Sequence, residues 1–296
     1  MRRLVVNADD LGLTVGVNDG IFDAHDHGIL TSASLFANAP ETSDAIRRAR
    51  SRPSLGVGVH LALVDGTPTL PPSRVPTLVE DDGRFRRSWR PFIVACLRGK
   101  VSLAEVELEL TAQVERLWAA GVRPTHLDAH KHVHAYPPVF GIVARLAGAF
   151  AIPVVRVPYE RWSSTSGDIR WGGRLGRQAL LNTAMLPWAR RDYRTAASED
   201  LRTPHFAGRI HTGVLGSDAL AGIVRALSPG ITELMVHPGY HDDDLERTGT
   251  RLLESRQQEL DLLCRLETRA LLVGERVDLV RHDLTHVMQR SLRHVS

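Results

Sequence analysis

Leu4-Val5-Val6-Asn7-Ala8-Asp9-Asp10 follows directly on Met1-Arg2-Arg3. The apolar triplet reads as a buried strand that stops on polar groups and two adjacent acids. An uninterrupted apolar run suits a strand of a parallel sheet, because helices cover both of its faces. Acids at the end of such a strand lie where βα barrels build their sites. No G-x-G-x-x-G follows, so a dinucleotide-binding fold lacks its fingerprint.

The same alternation continues along the chain. Helices are predicted over 15–28, 41–51, 102–120, 137–150 and about 250–265. Strands are predicted over 34–37, 56–63, 125–130, 153–158, 231–237 and 277–280. Residues 64–90 are rich in Pro and Gly and read as a long loop. The helix over 102–120 has the clearest signature. Ser102 with Glu105 forms a capping box, and Leu103, Val106, Leu110, Val114 and Leu117 form its apolar stripe. Seven strands alternate with helices, and polar clusters fall at the C-terminal ends of several strands. The expected fold is therefore α/β, a seven-stranded (β/α) barrel over residues 1–296 as one domain.

Composition narrows the function. With 43% hydrophobic and 24% charged residues among 296, the chain is ordinary globular protein. A formal net charge of +3 gives no electrostatic footprint for nucleic acid. Cys96 and Cys264 form no C-x-x-C pair, which excludes a thiolate zinc site and a disulfide scaffold. No signal-peptide pattern or membrane-length apolar run is seen, so a cytoplasmic protein is expected. The near-neutral total hides one basic segment. From Arg156 to His211 there are ten Arg against five acids, with Trp162, Trp171 and Trp188. It is too long for a simple barrel loop, and a helical insertion is expected at about 160–205.

The unusual count is 14 His, four of which, His126, His130, His132 and His134, fall within nine residues. Alternate residues of a strand share a face, so the last three either converge or fan around one pocket after a turn. Solvated His on a loop is the plain alternative. Asp9-Asp10 reads either as a turn with a helix cap or as a metal-bearing pair, since adjacent acids need a counter-charge. His60, inside an apolar strand, is either a hydrogen-bonded core group or a ligand. Asp128 stands where it could orient a His ligand. His237-Pro238-Gly239-Tyr240 reads as turn chemistry or as a general acid held at a strand end. Together these groups suggest metal-assisted hydrolysis, with water and a substrate carbonyl taking open metal positions. Serine hydrolysis has no G-x-S-x-G to support it.

The stretches NADDLGLTVGVNDGI, GILTSASLFANAP, LGVGVHLAL, PTHLDAHKHVHAYP and ELMVHPGY resemble, in order, the motifs of the YdjC/ChbG-like carbohydrate deacetylases. The likeness covers residue 2 to about 160 and about 205–283. It implies a distorted seven-stranded barrel related to NodB-type polysaccharide deacetylases, and metal-dependent removal of acetyl groups from N-acetylated sugars. By resemblance Asp10, His60 and His130 are the metal ligands, Asp9 the base and His237 the acid. Arg156 would pair with Asp9 and keep it ionised. His132, His134 and Tyr240 are expected at the sugar. The cofactor implied is one divalent ion, zinc or magnesium first, with cobalt, nickel or manganese also compatible.

HKHVH, SRVPTLVEDDGRF and Asp192-Tyr193 most resemble the HpnK subgroup, which is linked to hopanoid biosynthesis. That resemblance points to an N-acetylglucosaminyl hopanoid as substrate. A soluble chitooligosaccharide, or an inactive sugar- or lipid-binding protein, are the alternatives. The run Arg174 to Arg191 places Leu175, Ala179 and Leu186 on one helical face, with Arg at both ends and Trp188 near one of them. This suits either a lid helix or one lying in a membrane interface, hence peripheral contact with the inner membrane surface. A homodimer is left open.

Overall fold

β1 (Arg2–Leu11) is the strand around which the sheet is assembled, and it is buried from Leu4 to Leu11. The structure, a computed structural model, describes residues 1–161 and 173–284. After β1 come α1 (Val15–Asp26), β2 (Ser32–Leu35), α2 (Thr42–Ala49), β3 (Gly56–Leu61), α3 (Trp89–Leu97) and α4 (Leu103–Ala119). β4 (Leu127–Ala129) leads through the 3-10 segment His130–Ala135 into α5 (Pro137–Ala149). Next are α6 (Gly173–Ala184), α7 (Leu186–Ser198), β5 (His205–Ala207) and α8 (Ser217–Arg225). β6 (Gly230–Val236), α9 (Asp243–Arg247), α10 (Glu254–Cys264), α11 (Leu266–Gly274) and β7 (Val277–Leu279) complete the described elements.

The strands pair in the order β4-β3-β2-β1-β6-β5, and every pairing is parallel. β7 pairs with Arg2 to Leu4 of β1, while β2 pairs with its far end. The sheet curls so that Pro153–Glu160 spans the gap between β4 and β5. The predicted strand over 153–158 is a line of isolated bridges: Leu127 with Val155, Val154 with Arg202, and Glu160 with Phe206. Pro153 and Pro158 have no N–H to give, which limits a continuous ladder. The result is a distorted barrel, seven-stranded among the described residues.

Local chemistry explains the best-read elements. Thr14 caps α1 by accepting from the Val17 N–H. Ser102 caps α4, and Val106, Leu110, Val114 and Leu117 are buried, but Leu103, in the first turn, is exposed and does not join the stripe. The capping box is only half formed. Glu105 instead accepts from the backbone and hydroxyl of Thr77, each at 2.8 Å, and ties the 64–90 loop to the helix. At Gly20 an added Cβ would lie 2.5 Å from the Gly239 Cα, so only glycine lets α1 meet the turn after β6.

Several expectations are corrected. β1 does not stop at Val6 but runs through both aspartates. α3, β5, α8, α9 and α11 are not among the expected elements. The single helix expected over Arg174 to Arg191 is two, broken at Met185 because Pro187 has no N–H for a continuous helix and opens the second one instead. Ala179 is buried, and Trp188 packs on Tyr136 with ring centroids 5.5 Å apart, so part of the supposed interfacial face is spent inside the protein. Trp162, Asp168, Arg170 and Trp171 lie outside the described residues. No described helix is long and apolar enough to cross a membrane.

α7 buries Asp192 at 1% exposure, and neither carboxylate oxygen has a hydrogen-bond partner. Burial pushes it up to about 8, against the weaker pull of Arg191. Between the ordinary carboxylate range and pH 8 the folded state therefore holds a proton that the unfolded state has released, and stability falls as pH rises. Asp192→Asn removes this term. The variant should melt with the parent near pH 4 and above it at pH 8, by about 2 °C or more, as read by thermal unfolding across that range.

Candidate active site

The two aspartates owe their placement to an irregularity in β1. Asn7 and Ala8 pair with Ser32 and Ala33, but the next pair is Leu11 with Leu35, so β1 carries one extra residue. In a regular strand Asp9 and Asp10 would point to opposite faces. The bulge re-aims one of them, at the cost of a positive φ of 69° at Asp10. Both carboxylates are buried at the C-terminal mouth of the barrel.

Asp9 is held by Arg156 through two bonds, Nη1 to Oδ2 at 2.8 Å and Nη2 to Oδ1 at 2.7 Å. Asn7 Nδ2 donates to Asp9 Oδ1 at 3.1 Å. The same guanidinium meets Glu233 through Nε at 2.7 Å and Asp128 Oδ2 at 2.7 Å. Arg156 is 1% exposed, so three carboxylates and one cation share the barrel interior. Burial opposes its charge, but Asp128, Asp9 and Glu233 outweigh this and raise it well above its usual range. Burial likewise opposes ionisation of Glu233, yet Arg156 brings it down to about 2.

Beside this knot stand Asp10, His60 and His130, whose ligand atoms lie within 4.8 Å of one another. His60 faces Asp128 across the β3–β4 pairing, and its Nδ1 meets Asp128 Oδ1 at 2.7 Å. That fixes Nε2 toward Asp10 Oδ1 at 3.4 Å, where this buried atom makes no hydrogen bond. His130 turns Nδ1 to Asp10 Oδ1 at 3.1 Å. Arg256 of α10 takes the other Asp10 oxygen at 2.5 Å. Burial opposes charge on His60, but Asp128 and Asp10 outweigh it and push the imidazole up to about 10. A field that holds a proton this firmly is one that favours a cation. One carboxylate and two imidazole nitrogens, one of them buried without a partner, fit a divalent ion.

The remaining predicted residues divide. His237 follows β6, is buried, and is held by its backbone N–H on Glu259 at 2.6 Å. Burial pushes it down to about 4, with Asp9 and Asp10 pulling the other way. Tyr240 is exposed, and its hydroxyl donates to Asp23 in the third turn of α1 at 2.6 Å, so it is not brought to the group of Asp10, His60 and His130 as expected. His132 packs edge-on to Phe206 at 5.8 Å, with its Nδ1 buried and unpartnered. His134 is fully buried, with Nε2 2.8 Å from the Arg156 carbonyl oxygen and its ring stacked on Phe140. His126 lies between Thr125 and Ser34, with its ring stacked on His282 at 3.7 Å. A Cβ on Gly58 would sit 2.4 Å from that ring, so the glycine makes its room.

Glu233, Arg256 and Asp65 belong to the same cluster of charges without being marked by residue pattern alone. Glu233 left a signal, a charge inside the apolar run of β6. Arg256 sits on a helix dotted with other charges, and Asp65 in the 64–90 loop, so neither stands out.

The model of the family described as YdjC-like protein matches residues 3–273. A carbohydrate deacetylase of Brevibacillus brevis is 34% identical over 279 residues, covering 94% of this chain and 97% of its own. One from Geobacillus stearothermophilus is 35% identical over 263 residues, covering 88% and 89%. Among solved structures, a protein of Enterococcus faecalis V583 with the provisional name cellobiose-phosphate cleavage protein superposes with a TM-score of 0.75. It is 26% identical, with 95% of this chain and 98% of that one covered.

The Arg156 knot should be the most fragile polar feature. Arg156→Met leaves three buried carboxylates without their cation and should lower unfolding stability by about 3–5 kcal/mol, measured by denaturant titration.

Proposed function

This chain belongs to the YdjC-like protein family, and from that membership and the geometry at the barrel mouth we infer that it is a divalent-metal-dependent carbohydrate N-deacetylase. The reaction is hydrolysis of the N-acetyl group on an N-acetylglucosamine unit, releasing acetate and a free amine. The observation that carries this reading is the grouping of Asp10, His60 and His130 against an Asp9 already held by Arg156. A divalent ion held by those three residues would polarise the acetyl carbonyl and lower the pKa of a water.

The chain's own groups then have separable tasks. Asp9, oriented by Arg156 and Asn7, takes the proton of the attacking water. His237 delivers a proton to the departing amine nitrogen as the C–N bond breaks. Since burial holds His237 neutral at neutral pH, the proton it gives must first reach it, and Asp9 is the source within the site. Asp128 fixes the tautomer of His60. His132, two residues after His130, contacts the sugar, whereas Tyr240 can do so only once its hydroxyl leaves Asp23. For His134 a supporting role fits better than the expected sugar contact, because it is sealed from solvent against the Arg156 backbone. Two imidazoles and one carboxylate suit zinc first, with magnesium, cobalt, nickel or manganese as the other candidates.

Asp10→Ala and His60→Ala should lose bound metal and acetate release together. Asp9→Asn should keep its metal and lose at least about 100-fold in kcat, the scale of a missing general base. Near-full turnover in metal-loaded Asp9→Asn would remove Asp9 from the base position.

The finer proposal is an N-acetylglucosaminyl hopanoid as substrate. It is supported by the HKHVH and SRVPTLVEDDGRF stretches and by the basic insertion at about 160–205, whose exposed Leu180 and surrounding Arg suit contact with a lipid surface. A soluble chitooligosaccharide is the second reading, favoured by the carbohydrate deacetylase relatives. Acetate release from an N-acetylglucosaminyl hopanoid in anionic liposomes should exceed that from N,N′-diacetylchitobiose, and the protein should float with those liposomes at low salt. The opposite ranking without flotation selects the soluble substrate.

A further inference from the structure

The loop over 64–90 is fastened to the candidate metal site at one point. Asp65 Oδ2 lies 3.2 Å from His130 Nε2, the ring nitrogen opposite the one that faces Asp10. Lys131, next in the chain, forms an ion pair with the same Asp65 oxygen and donates to the Arg87 carbonyl at 3.2 Å. The two ends of the loop close on each other at this position. Asp65 N–H donates to the Arg86 carbonyl at 2.9 Å, and Phe85 N–H to that of Gly66 at 3.1 Å. Asp65 and Lys131 both adopt positive φ, 58° and 50°. Such backbone is retained where the surroundings over-determine it.

We propose that Asp65 is a positioning residue for metal binding: its carboxylate takes the Nε2–H of His130 and so presents Nδ1 toward Asp10 and His60. This rests on the proposed metal-dependent function. It gives each candidate imidazole ligand its own carboxylate, Asp128 for His60 and Asp65 for His130. The two attachments differ in kind. Asp128 is fully buried on a strand beside His60, whereas Asp65 is partly exposed on a loop. A carboxylate on the far nitrogen fixes the tautomer and ring orientation of a ligating His and raises its basicity, and losing one weakens metal affinity about 10–100-fold. Affinity for the ion therefore depends on the 64–90 loop being in place.

The test is zinc affinity, measured by chelator competition on the full chain. Asp65→Gly removes the carboxylate without straining the positive φ, and Asp65→Asn keeps an acceptor but removes the charge. Asp65→Gly should bind zinc about 10–100-fold more weakly than wild type and Asp65→Asn several-fold more weakly, with metal-free melting temperatures unchanged. Equal zinc affinity in wild type and Asp65→Gly overturns this inference and leaves the proposed function standing. A wild-type chain that takes up no ion overturns both. If Asp65→Gly melts lower without metal, Asp65→Asn decides: weakened affinity supports the inference, and unchanged affinity overturns it.

Discussion

Arg156 is the cation on which the interior of this barrel depends. Asp9, Asp128 and Glu233 come from three strands, β1, β4 and β6, and each would be costly to bury alone. One planar guanidinium satisfies all three because its donors leave in a fixed fork. Its backbone is held in turn by β4, through the Leu127 carbonyl at 3.0 Å, and by the His134 ring. The barrel is therefore polar inside near its mouth, and the polar groups are paired before any substrate arrives.

This arrangement separates two aspartates that are neighbours in the chain. Asp9 faces Arg156 and Asp10 faces Arg256, each with its own cation. The bulge in β1 makes the division feasible, since a regular pleat would send one of the pair out of the barrel. The imidazoles are handled in the same way. His60 and His130 each meet Asp10 with one nitrogen and a different carboxylate with the other. Orientation is thus imposed by partners drawn from strands, a helix and a loop that are remote in sequence.

Legibility followed the range of the interactions. Elements governed by local pattern were readable: the apolar run of β1, the stripe and Ser102 cap of α4, and the strand around His60. Elements whose stability comes from tertiary packing were not, including three-residue β5 and the short α8 and α11. The second half of the capping box failed because Thr77, far along the chain, competes for Glu105. The break in the helix over Arg174 to Arg191 is itself local, set by Pro187 in the first turn of α7, and only the placement of Trp188 on Tyr136 is tertiary. Among the site groups, Asp9, Asp10, His60, His130 and His237 could be named from residue type and motif. Glu233, Arg256 and Asp65 could not be assigned, since a charge reveals its role only through its partner.

The sequence by itself determined the alternation of strands and helices, the family, and the residue types able to carry a hydrolytic metal site. These rest on short-range periodicity and on ordered motifs, both of which are written along the chain. Only the tertiary structure decided which nitrogen of each imidazole faces Asp10, which aspartate meets which arginine, and which histidines are sealed in the core. Those outcomes depend on contacts between segments tens to hundreds of residues apart. They are set by burial, because a charge removed from water must find its partner wherever the fold has put it.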